Sequence, residues 1–209
     1  MQKCKKNIVF FDLDGTLTKK DTFWGFVIYD QGFFKVLFSF IIFIPFIIEY
    51  ILQIKNKGSI KESIFAYYFR GRDVQSLHAA GEKYSLNRLP GLLRPDAKRK
   101  LEWHLKNRHT VCIVTASSDI WVEKWCKVNN IDLIATKYDV AESRYTGSYL
   151  GKNCIGKEKV LQINAKYNLN EYERIYAYGN SRNDLDMLNL AHYKFYKTFK
   201  TDFDNYLML

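Results

Sequence analysis

The sequence predicts an α/β protein built on a Rossmann-like, doubly wound parallel sheet, with an α-helical cap inserted after the first strand. Short apolar runs that end in polar residues alternate with helical stretches, as strands and helices do in a parallel sheet. Residues 13–109, between the first two runs, are far longer than an ordinary crossover and have helical patterning. These two observations together predict the sheet and its insertion.

Five apolar runs are the predicted strands of the sheet. They are residues 7–12, 110–115, 131–135, 174–179 and 193–196. The second run leads into a helical stretch over residues 120–128, and the fourth leads into a helix that ends at Leu190. Residues 138–150 predict a β-hairpin. Doubly wound sheets place their functional sites at the carboxyl ends of the strands, so chemistry is expected there.

The inserted segment is predicted to be helical throughout. Its helices are expected over residues 23–29, 33–54, 60–68, 73–84 and 97–107, and the last of them returns the chain to the sheet. The predicted organisation is therefore an α/β core of residues 1–20 and 96–209 and a helical cap of residues 21–95.

The composition is that of an ordinary globular chain. Among 209 residues, 47% are hydrophobic and 16% aromatic, with only 3 prolines, which excludes disordered and collagen-like chains. Cys4, Cys112, Cys126 and Cys154 are scattered, without a CxxC pair, and are expected to be reduced thiols of a cytoplasmic protein. The apolar run after the basic first residues is too short for a secretory signal, so we expect a cytoplasmic chain that starts at Met1.

A formal net charge of +10 at pH 7 is the unusual feature of the composition. Charge of this sign indicates nucleic acid, an anionic membrane surface or a phosphorylated substrate as the partner. Nucleic acid is the least favoured of the three, because the basic residues are spread and no RNA- or DNA-binding motif is present.

The residues Asp-Leu-Asp-Gly-Thr, directly after the first strand, carry the strongest chemical signal. Asp12 and Asp14 lie on the same side of an extended chain, and Gly15 permits a tight turn. Two close carboxylates with a bound cation suit phosphoryl transfer, in which one attacks phosphorus and the other exchanges protons with the leaving oxygen and with water. The alternative is a polar turn that caps a helix.

Further motifs follow in a fixed order: a strand that ends in Thr115, the pair Gly156-Lys157, and Gly179-Asn-Ser-Arg-Asn-Asp184. With the first motif, they resemble the haloacid dehalogenase (HAD) superfamily of phosphohydrolases over nearly the whole chain. The insertion resembles the helical C1 cap of subfamily IB, as in relatives of phosphoserine phosphatase. The resemblance implies the HAD fold and phosphatase activity.

The resemblance also implies a role for each motif. Asp12 would be the nucleophile that forms an aspartyl-phosphate, and Asp14 the general acid and base. Thr115 would bind the phosphoryl group with the backbone N–H groups of Ala116 and Ser117, since a strand end that opens into a helix is a natural anion site. The alternative is that these residues cap the following helix.

The third motif would supply a lysine that neutralises the charge of the phosphate and the nucleophile. We assign this role to Lys157. Lys159 is a competing candidate and is expected instead to be an exposed lysine at the start of a helix.

The fourth motif departs from the usual pattern, because Asn180 stands where an aspartate is expected after the glycine. The resemblance implies Mg²⁺ as the cofactor, held by Asp12 and the backbone carbonyl of Asp14. Its remaining protein ligand would be Asn180 or Asp184, directly or through water. One fewer anion should weaken Mg²⁺ binding. A capping box formed by Ser181 and Asp184 is the alternative interpretation.

Residues 33–54 approach a transmembrane helix in composition. A single crossing would place Asp12 and Thr115 on opposite sides of a membrane, and two crossings need about 40 apolar residues. We therefore expect a re-entrant or interfacial helical hairpin, bent near Pro45. A buried cap helix or a dimer interface is the alternative.

Aromatic and basic residues flank this apolar segment. They are Trp24, Tyr29 and Tyr50, and Lys35, Lys55, Lys57 and Lys61. Such rings prefer the membrane interface, and lysines attract anionic headgroups. The layout resembles the phosphatidylglycerophosphatase C group of HAD enzymes, which dephosphorylate phosphatidylglycerol phosphate and carry a hydrophobic segment at this place.

Three functions follow from these features. The first is an Mg²⁺-dependent phosphomonoesterase that acts on a lipid phosphate at the inner face of the cell membrane. The second is a soluble phosphatase of a small molecule, such as phosphoserine or a sugar phosphate, with the apolar segment as the core of the cap. The third is a non-catalytic membrane-binding module on a decayed phosphatase fold.

Overall fold

The structure is a computed structural model that describes residues 6–51 and 57–199, with the backbone alone at residues 40, 45–51, 57 and 58. Several residues named above lie outside the described residues: Cys4, Lys55 and the end of the apolar segment, residues 52–54. The side chains of Tyr50 and Lys57 lie outside them as well.

A parallel sheet of five strands forms the core, in the order β3-β2-β1-β6-β7. Its strands are β1 (Lys6–Phe11), β2 (Thr110–Ser118), β3 (Asp132–Thr136), β6 (Tyr172–Gly179) and β7 (Tyr193–Tyr196). A separate antiparallel hairpin pairs β4 (Tyr138–Ala141) with β5 (Arg144–Tyr149). The predicted fold class is confirmed, and each predicted strand is present with small shifts at its ends.

Strand β1 shows why the apolar runs form a parallel sheet. Residues Ile8 to Phe11 are fully buried, because helices cover both faces of the sheet. Successive side chains point to opposite faces: Val9 and Phe11 belong to one apolar cluster, whereas Ile8 and Phe10 belong to the other. A central strand with two buried faces therefore has an unbroken apolar sequence, which made it easy to predict.

Helices fill the insertion and cover the sheet. The insertion contains α1 (Thr22–Gln31), α2 (Phe33–Ile51), α3 (Lys57–Phe69), α4 (Val74–Asn87) and α5 (Leu89–Leu92). Helices α6 (Pro95–Lys106), α7 (Glu123–Val128), α8 (Lys157–Lys166) and α9 (Leu185–Asn189) pack around the core strands. The short helix α5 was not predicted, because Pro90 and Gly91 stand within its four residues.

The bend in the apolar segment is not at Pro45, and this corrects the prediction. Helix α2 continues past Pro45 to Ile51. The chain turns instead at Gly32, where α1 and α2 meet at an angle of 112°. Gly32 has φ +84°, and its N–H donates to the carbonyl of Ile28 at 2.9 Å, so this glycine ends α1 in a conformation that other residues rarely adopt.

Helix α2 presents a broad apolar face to solvent, which we call the exposed α2 face. It consists of Phe33, Phe34, Leu37, Phe38, Ile41, Ile42 and Ile44. Phe34 is 73% exposed and Ile41 69%, whereas Val36 and Phe43 are buried on the opposite side. Within the described residues, no single helix has the length and composition to cross a membrane, and α1 with the first part of α2 passes that test only as a bent pair.

The β4–β5 hairpin holds the inserted helices against the core. The N–H of Gly71 donates to the carbonyl of Tyr145 at 2.8 Å, and the N–H of Tyr145 donates to the carbonyl of Arg72 at 3.0 Å. The ring of Phe65 in α3 stacks on Tyr138 in β4 at a centroid distance of 3.4 Å. The predicted hairpin is therefore present, and it packs against the inserted helices.

Candidate active site

A polar pocket opens at the carboxyl ends of β1, β2 and β6, where the doubly wound sheet was expected to place a site. Its lining residues are Asp12, Asp14, Asp21, Lys61, Thr115, Ala116, Asn153, Ile155, Lys159, Asn180, Ser181, Asn183 and Asp184. Six of the predicted site residues come together here: Asp12, Asp14, Thr115, Ala116, Asn180 and Asp184. Lys157 and Ser117 do not line the pocket.

The turn after β1 positions Asp12 at the base of the pocket. Its N–H donates to the carbonyl of Tyr178 at 2.9 Å, which extends the pairing of β1 with β6 by one residue. The hydroxyl of Thr16 donates to Asp12 Oδ2 at 2.9 Å. Gly15 has φ +81°, and a Cβ there would lie 2.3 Å from Asn180 Nδ2, so the turn requires glycine at this position.

The structure corrects the lysine assignment from Lys157 to Lys159. Lys159 is 2% exposed, and its Nζ lies 2.7 Å from Asp12 Oδ1 and 2.7 Å from Asp184 Oδ1. Burial opposes the charge of Lys159, but the two carboxylates outweigh burial and hold its pKa above the ordinary value. Lys157, the first residue of α8, is exposed.

The phase of α8 explains this correction. Successive helical residues are rotated by about 100°, so Lys157 and Lys159 point in very different directions and only one of them can face the sheet. Ile163, four residues after Lys159 and on the same face, is fully buried. The spacing of Lys159 and Ile163 was the sequence signal that could have identified the correct lysine.

Asp184 anchors the loop after β6. Its Oδ2 accepts from the N–H of Asn180 at 3.1 Å, the N–H of Ser181 at 2.9 Å and the hydroxyl of Ser181 at 2.8 Å. Burial raises the pKa of Asp184, but Lys159 and the donors on Ser181 outweigh burial and hold it below the ordinary value. The predicted capping box of Ser181 and Asp184 is present. Asp184 therefore belongs to the box and also lines the pocket.

The last residues of β2 make different contacts, which corrects the role predicted for Ser117. Thr115 and Ala116 line the pocket. The N–H of Ser117 donates to Thr115 Oγ1 at 3.0 Å, so it is not directed at a phosphoryl group. Strand β2 continues to Ser118, whose hydroxyl accepts from the N–H of Ile120 at 3.2 Å, so the predicted helix cap falls on Ser118 alone.

Asp14 is held by two donors, one from β2 and one from the start of α1. The hydroxyl of Ser117 donates to its Oδ2 at 2.5 Å, and the N–H of Thr22 donates to its Oδ1 at 2.8 Å. Burial, together with the nearby carboxylate of Asp21, raises the pKa of Asp14 to about 6. A carboxyl group with such a pKa can give and take protons near neutral pH.

Asp21 and Lys61, both from the inserted segment, form an ion pair in the pocket wall. This pair was not predicted from the sequence. Lys61 Nζ lies 3.1 Å from Asp21 Oδ2. Asp21 is also the N-cap of α1, and its Oδ1 accepts from the N–H of Phe23 at 3.0 Å. Lys61, expected at the membrane surface, therefore contacts the site instead. Asp21, two residues before the helix predicted over residues 23–29, was the available signal.

Three groups could hold a metal here, and each would bind it through oxygen. They are the carboxylate of Asp12, the backbone carbonyl of Asp14 and the side-chain amide of Asn180. Over the described ranges, no group of three or more His, Cys, Asp or Glu residues could hold a metal. Mg²⁺ normally takes one or two carboxylates and keeps several waters, so the residues present fit this ion.

Comparisons with known proteins agree with this geometry. The family model described as haloacid dehalogenase-like hydrolase matches residues 9–189. Protein CicA of Caulobacter vibrioides is 32% identical over 196 residues, which cover 92% of this chain and 86% of that protein. A protein of unknown function from Bordetella pertussis Tohama I has a similar structure, with a TM-score of 0.76 at 20% identity over 90% of this chain and 87% of the other.

A solved structure of phosphoserine phosphatase, a phospho-aspartyl intermediate analogue, shares the same fold. It has a TM-score of 0.57 at 19% identity over 98% of each chain. At these identities the two solved structures show a common fold with this chain.

Proposed function

The chain belongs to the haloacid dehalogenase-like hydrolases, and from that premise we propose that it is a phosphatase that works through an aspartyl-phosphate intermediate. The observation that carries the proposal is the buried contact of Lys159 with Asp12, 2.7 Å from Nζ to Oδ1, beside the carboxyl group of Asp14. Within the family we assign the chain to subfamily IB with a helical C1 cap, because helices α1 to α5 lie between β1 and β2.

The two aspartates divide the reaction between them. A carboxylate oxygen of Asp12 attacks phosphorus, the bond from phosphorus to the leaving oxygen breaks, and that oxygen takes a proton from Asp14. Water then attacks phosphorus of the acyl phosphate and gives its proton to Asp14, so inorganic phosphate leaves and both side chains return to their starting state. The pKa of Asp14, raised to about 6, suits both directions of proton transfer.

The groups around Asp12 stabilise the transferring phosphoryl group. Lys159 places a positive charge beside Asp12. Its contacts with the carboxylates of Asp12 and Asp184 keep it charged although it is buried, and they fix its position. Thr115 Oγ1 accepts from the N–H of Ser117, which leaves its own proton available for a phosphoryl oxygen. The N–H of Ala116 is the second donor proposed for that group.

We include Mg²⁺ in the proposal as the cofactor. Asp12, the backbone carbonyl of Asp14 and the amide oxygen of Asn180 would hold it, and Asp184 would support them through Ser181 and Lys159. When bound, Mg²⁺ supplies positive charge beside the phosphoryl oxygens. Because Asn180 is neutral, we expect weaker Mg²⁺ binding than a carboxylate would give at that position.

A lipid phosphate is the substrate we favour. A contiguous exposed apolar surface marks an interaction site, and the exposed α2 face is such a surface. Helix α1 begins beside Asp21 in the pocket wall and is about 15 Å long, so the start of α2 lies within about that distance of the pocket wall. Exposed Lys35 and the net charge of +10 favour an anionic surface. We therefore propose phosphatidylglycerol phosphate or a related lipid, at the inner face of the cell membrane.

One observation favours the alternative, a soluble phosphatase. Asp21 and Lys61 place one negative and one positive group on the pocket wall, which would suit a small substrate with both charges, such as phosphoserine. A non-catalytic module is disfavoured, because a buried lysine between two carboxylates is costly to maintain and such groups cluster at functional sites.

The test is phosphate release from a panel of substrates, with and without Mg²⁺. Phosphatidylglycerol phosphate in anionic vesicles would be compared with phosphoserine and a sugar phosphate in solution. Release from the lipid, lost in Asp12→Asn, is the expected result. Release from phosphoserine alone would establish the alternative, and release that persists unchanged in Asp12→Asn would overturn both enzyme proposals.

A further inference from the structure

We propose that Trp121, Thr22 and Ser117 form a hydrogen-bond relay with one fixed direction, which positions Asp14 and makes its geometry depend on the docked helix α1. The proposal rests on the proposed function, because it concerns the residue assigned there as general acid and base. It identifies three positioning residues that do not line the pocket themselves.

The relay is a continuous chain of contacts from the core to the carboxylate. Trp121 Nε1 donates to Thr22 Oγ1 at 3.2 Å, and Thr22 Oγ1 lies 2.9 Å from Ser117 Oγ. Ser117 Oγ donates to Asp14 Oδ2 at 2.5 Å. Trp121, Thr22 and Ser117 are all buried, so water does not compete for these hydrogen bonds.

The direction of the relay follows from the number of protons on each group. An indole nitrogen only donates, and a hydroxyl has a single proton. Ser117 uses its proton on the carboxylate, so its oxygen must accept from Thr22. The oxygen of Thr22 in turn accepts from Trp121. A chain that ran the other way, with Ser117 donating to Thr22, would leave Oδ2 of the ionised Asp14 without its hydroxyl donor, so the carboxylate sets the direction.

This direction has a consequence for Asp14. Its Oδ2 is held as an acceptor at the end of the relay, and its Oδ1 accepts a single backbone N–H, that of Thr22. Two donors from different elements fix the plane of the carboxylate. These two donors therefore set the orientation in which Asp14 exchanges a proton with the leaving group and with water.

The relay joins the cap to the core at the catalytic acid. Thr22 is the first residue of α1, whereas Ser117 belongs to β2 and Trp121 to the 3-10 turn that follows it. The carbonyl of Thr22 also accepts from the hydroxyl of Tyr84 in α4, at 3.4 Å. Because both the backbone and the side chain of Thr22 support Asp14, the acid is complete only when α1 is docked.

The primary test compares two substitutions at one position. Thr22→Val keeps the shape of the side chain and removes its hydroxyl, whereas Thr22→Ser keeps the hydroxyl. With an alkyl phosphate, we expect Thr22→Val to lower kcat by about 10- to 100-fold with little change in KM, a part of the usual contribution of acid–base catalysis. Thr22→Ser should restore most of the rate. Equal kcat values in wild type and Thr22→Val would overturn the proposal.

A second measurement distinguishes the loss of Asp14 positioning from a disturbance of the whole active site. The leaving oxygen of p-nitrophenyl phosphate needs little protonation, so Thr22→Val should keep the initial burst of p-nitrophenol while later turnover slows. A lost burst would mean that Asp12 was disturbed and would contradict the relay. Ser117→Ala serves as a second variant if Thr22→Val unfolds, with the same expected pattern.

The tryptophan supplies a matched control. Trp121→Phe removes the first donor of the relay and should lower kcat, whereas Trp125→Phe removes a buried indole from α7 and should leave kcat unchanged. Equal losses in the two variants would attribute the effect to packing and overturn the relay. A wild-type protein that releases phosphate from no substrate would instead defeat the proposed function, so the two failures are distinguishable.

Discussion

Lys159 Nζ lies 2.7 Å from Asp12 Oδ1, in a place where the lysine side chain is almost completely removed from solvent. This contact joins the start of the chain's first motif to a helix 147 residues later. It gives a buried carboxylate, to which the Thr16 hydroxyl also donates, its cationic partner.

Removing Lys159 should therefore damage both stability and activity. Lys159→Met leaves two buried carboxylates without their partner, and we expect a loss of about 3–5 kcal/mol in the free energy of unfolding. Phosphate release should fall by more than about 100-fold, as for a lost electrostatic contact to the reacting group. Urea unfolding and steady-state kinetics measure the two effects.

Lys157→Met is the matched control, because the residue is an exposed lysine at the start of the same helix. Its unfolding free energy should stay within about 0.5 kcal/mol of wild type, with unchanged turnover. A larger loss in Lys157→Met than in Lys159→Met would reverse the assignment of the site lysine.

Asn180→Asp should strengthen Mg²⁺ binding. The substitution adds a carboxylate to the oxygen donors around Asp12, and affinity for hard cations rises with the number of charged ligands. We expect about a tenfold lower Mg²⁺ concentration at half-maximal binding, measured by calorimetry and by the Mg²⁺ dependence of phosphate release. Binding that is unchanged or weaker in Asn180→Asp would exclude Asn180 from the metal site.

Turnover should fall as the pH rises through about 6, the pKa of Asp14. Above this value the carboxyl group loses the proton that the leaving oxygen needs, so the rate with an alkyl phosphate decreases. The nearby carboxylate of Asp21 helps to raise this pKa, so Asp21→Asn, which keeps a good N-cap, should move the decline to lower pH. An unmoved pH profile in Asp21→Asn would contradict this origin of the pKa.

Charges on the exposed α2 face should abolish binding to anionic vesicles. The doubly substituted Phe34→Glu, Ile41→Glu removes two highly exposed apolar side chains and adds repulsion from anionic lipid. It should fail to float with vesicles and should still hydrolyse p-nitrophenyl phosphate in solution. Leu161→Glu, at an exposed apolar position on α8, is the control and should float like wild type. Equal flotation of all three proteins would exclude this face as the membrane contact.

Stability should decrease in acid because of His104. Its Nε2 lies 2.9 Å from the hydroxyl of Tyr178, and burial lowers its pKa to about 3. The unfolded chain takes up a proton near pH 6.5 that the folded protein does not, so stability is full above that pH and decreases as the pH falls toward 3. We expect a loss of about 2 kcal/mol at pH 4.5.

Urea unfolding at pH 7 and pH 4.5 measures this loss, and His104→Gln should make it smaller. His109 is also partly buried with a lowered pKa and acts in the same sense, so some pH dependence should remain in the variant. A loss of the same size in wild type and His104→Gln would assign the effect to other groups.

The parts of the fold that the sequence predicted well are those with strong local signals. Strand β1 has an unbroken apolar sequence because both of its faces are buried, and the motif after it lies at a strand end by the geometry of the sheet. Asp12 and Asp14 could therefore be placed in a common site from sequence alone.

The errors come from contacts that local patterns do not specify. The choice between Lys157 and Lys159 depends on the phase at which α8 begins, and the hydroxyl of Ser117, for which no role was predicted, contacts Asp14, 103 residues earlier. Lys61 was interpreted by its proximity to an apolar segment, although its ion pair with Asp21 spans 40 residues. In each case a long-range polar contact decides the outcome.

The hairpin that packs against the inserted helices has a consequence for how related chains could be recombined. A Cβ on Gly147 would lie 2.7 Å from Cβ of Ala66, so β5 and α3 approach each other as closely as two backbones allow. The hairpin is far from the inserted helices in the sequence, yet β5 packs closely against α3. A chimera that receives residues 21–95 alone would join mismatched surfaces, whereas transfer together with residues 138–149 would keep them matched. We therefore expect a chimera to fold only when both segments come from the same protein.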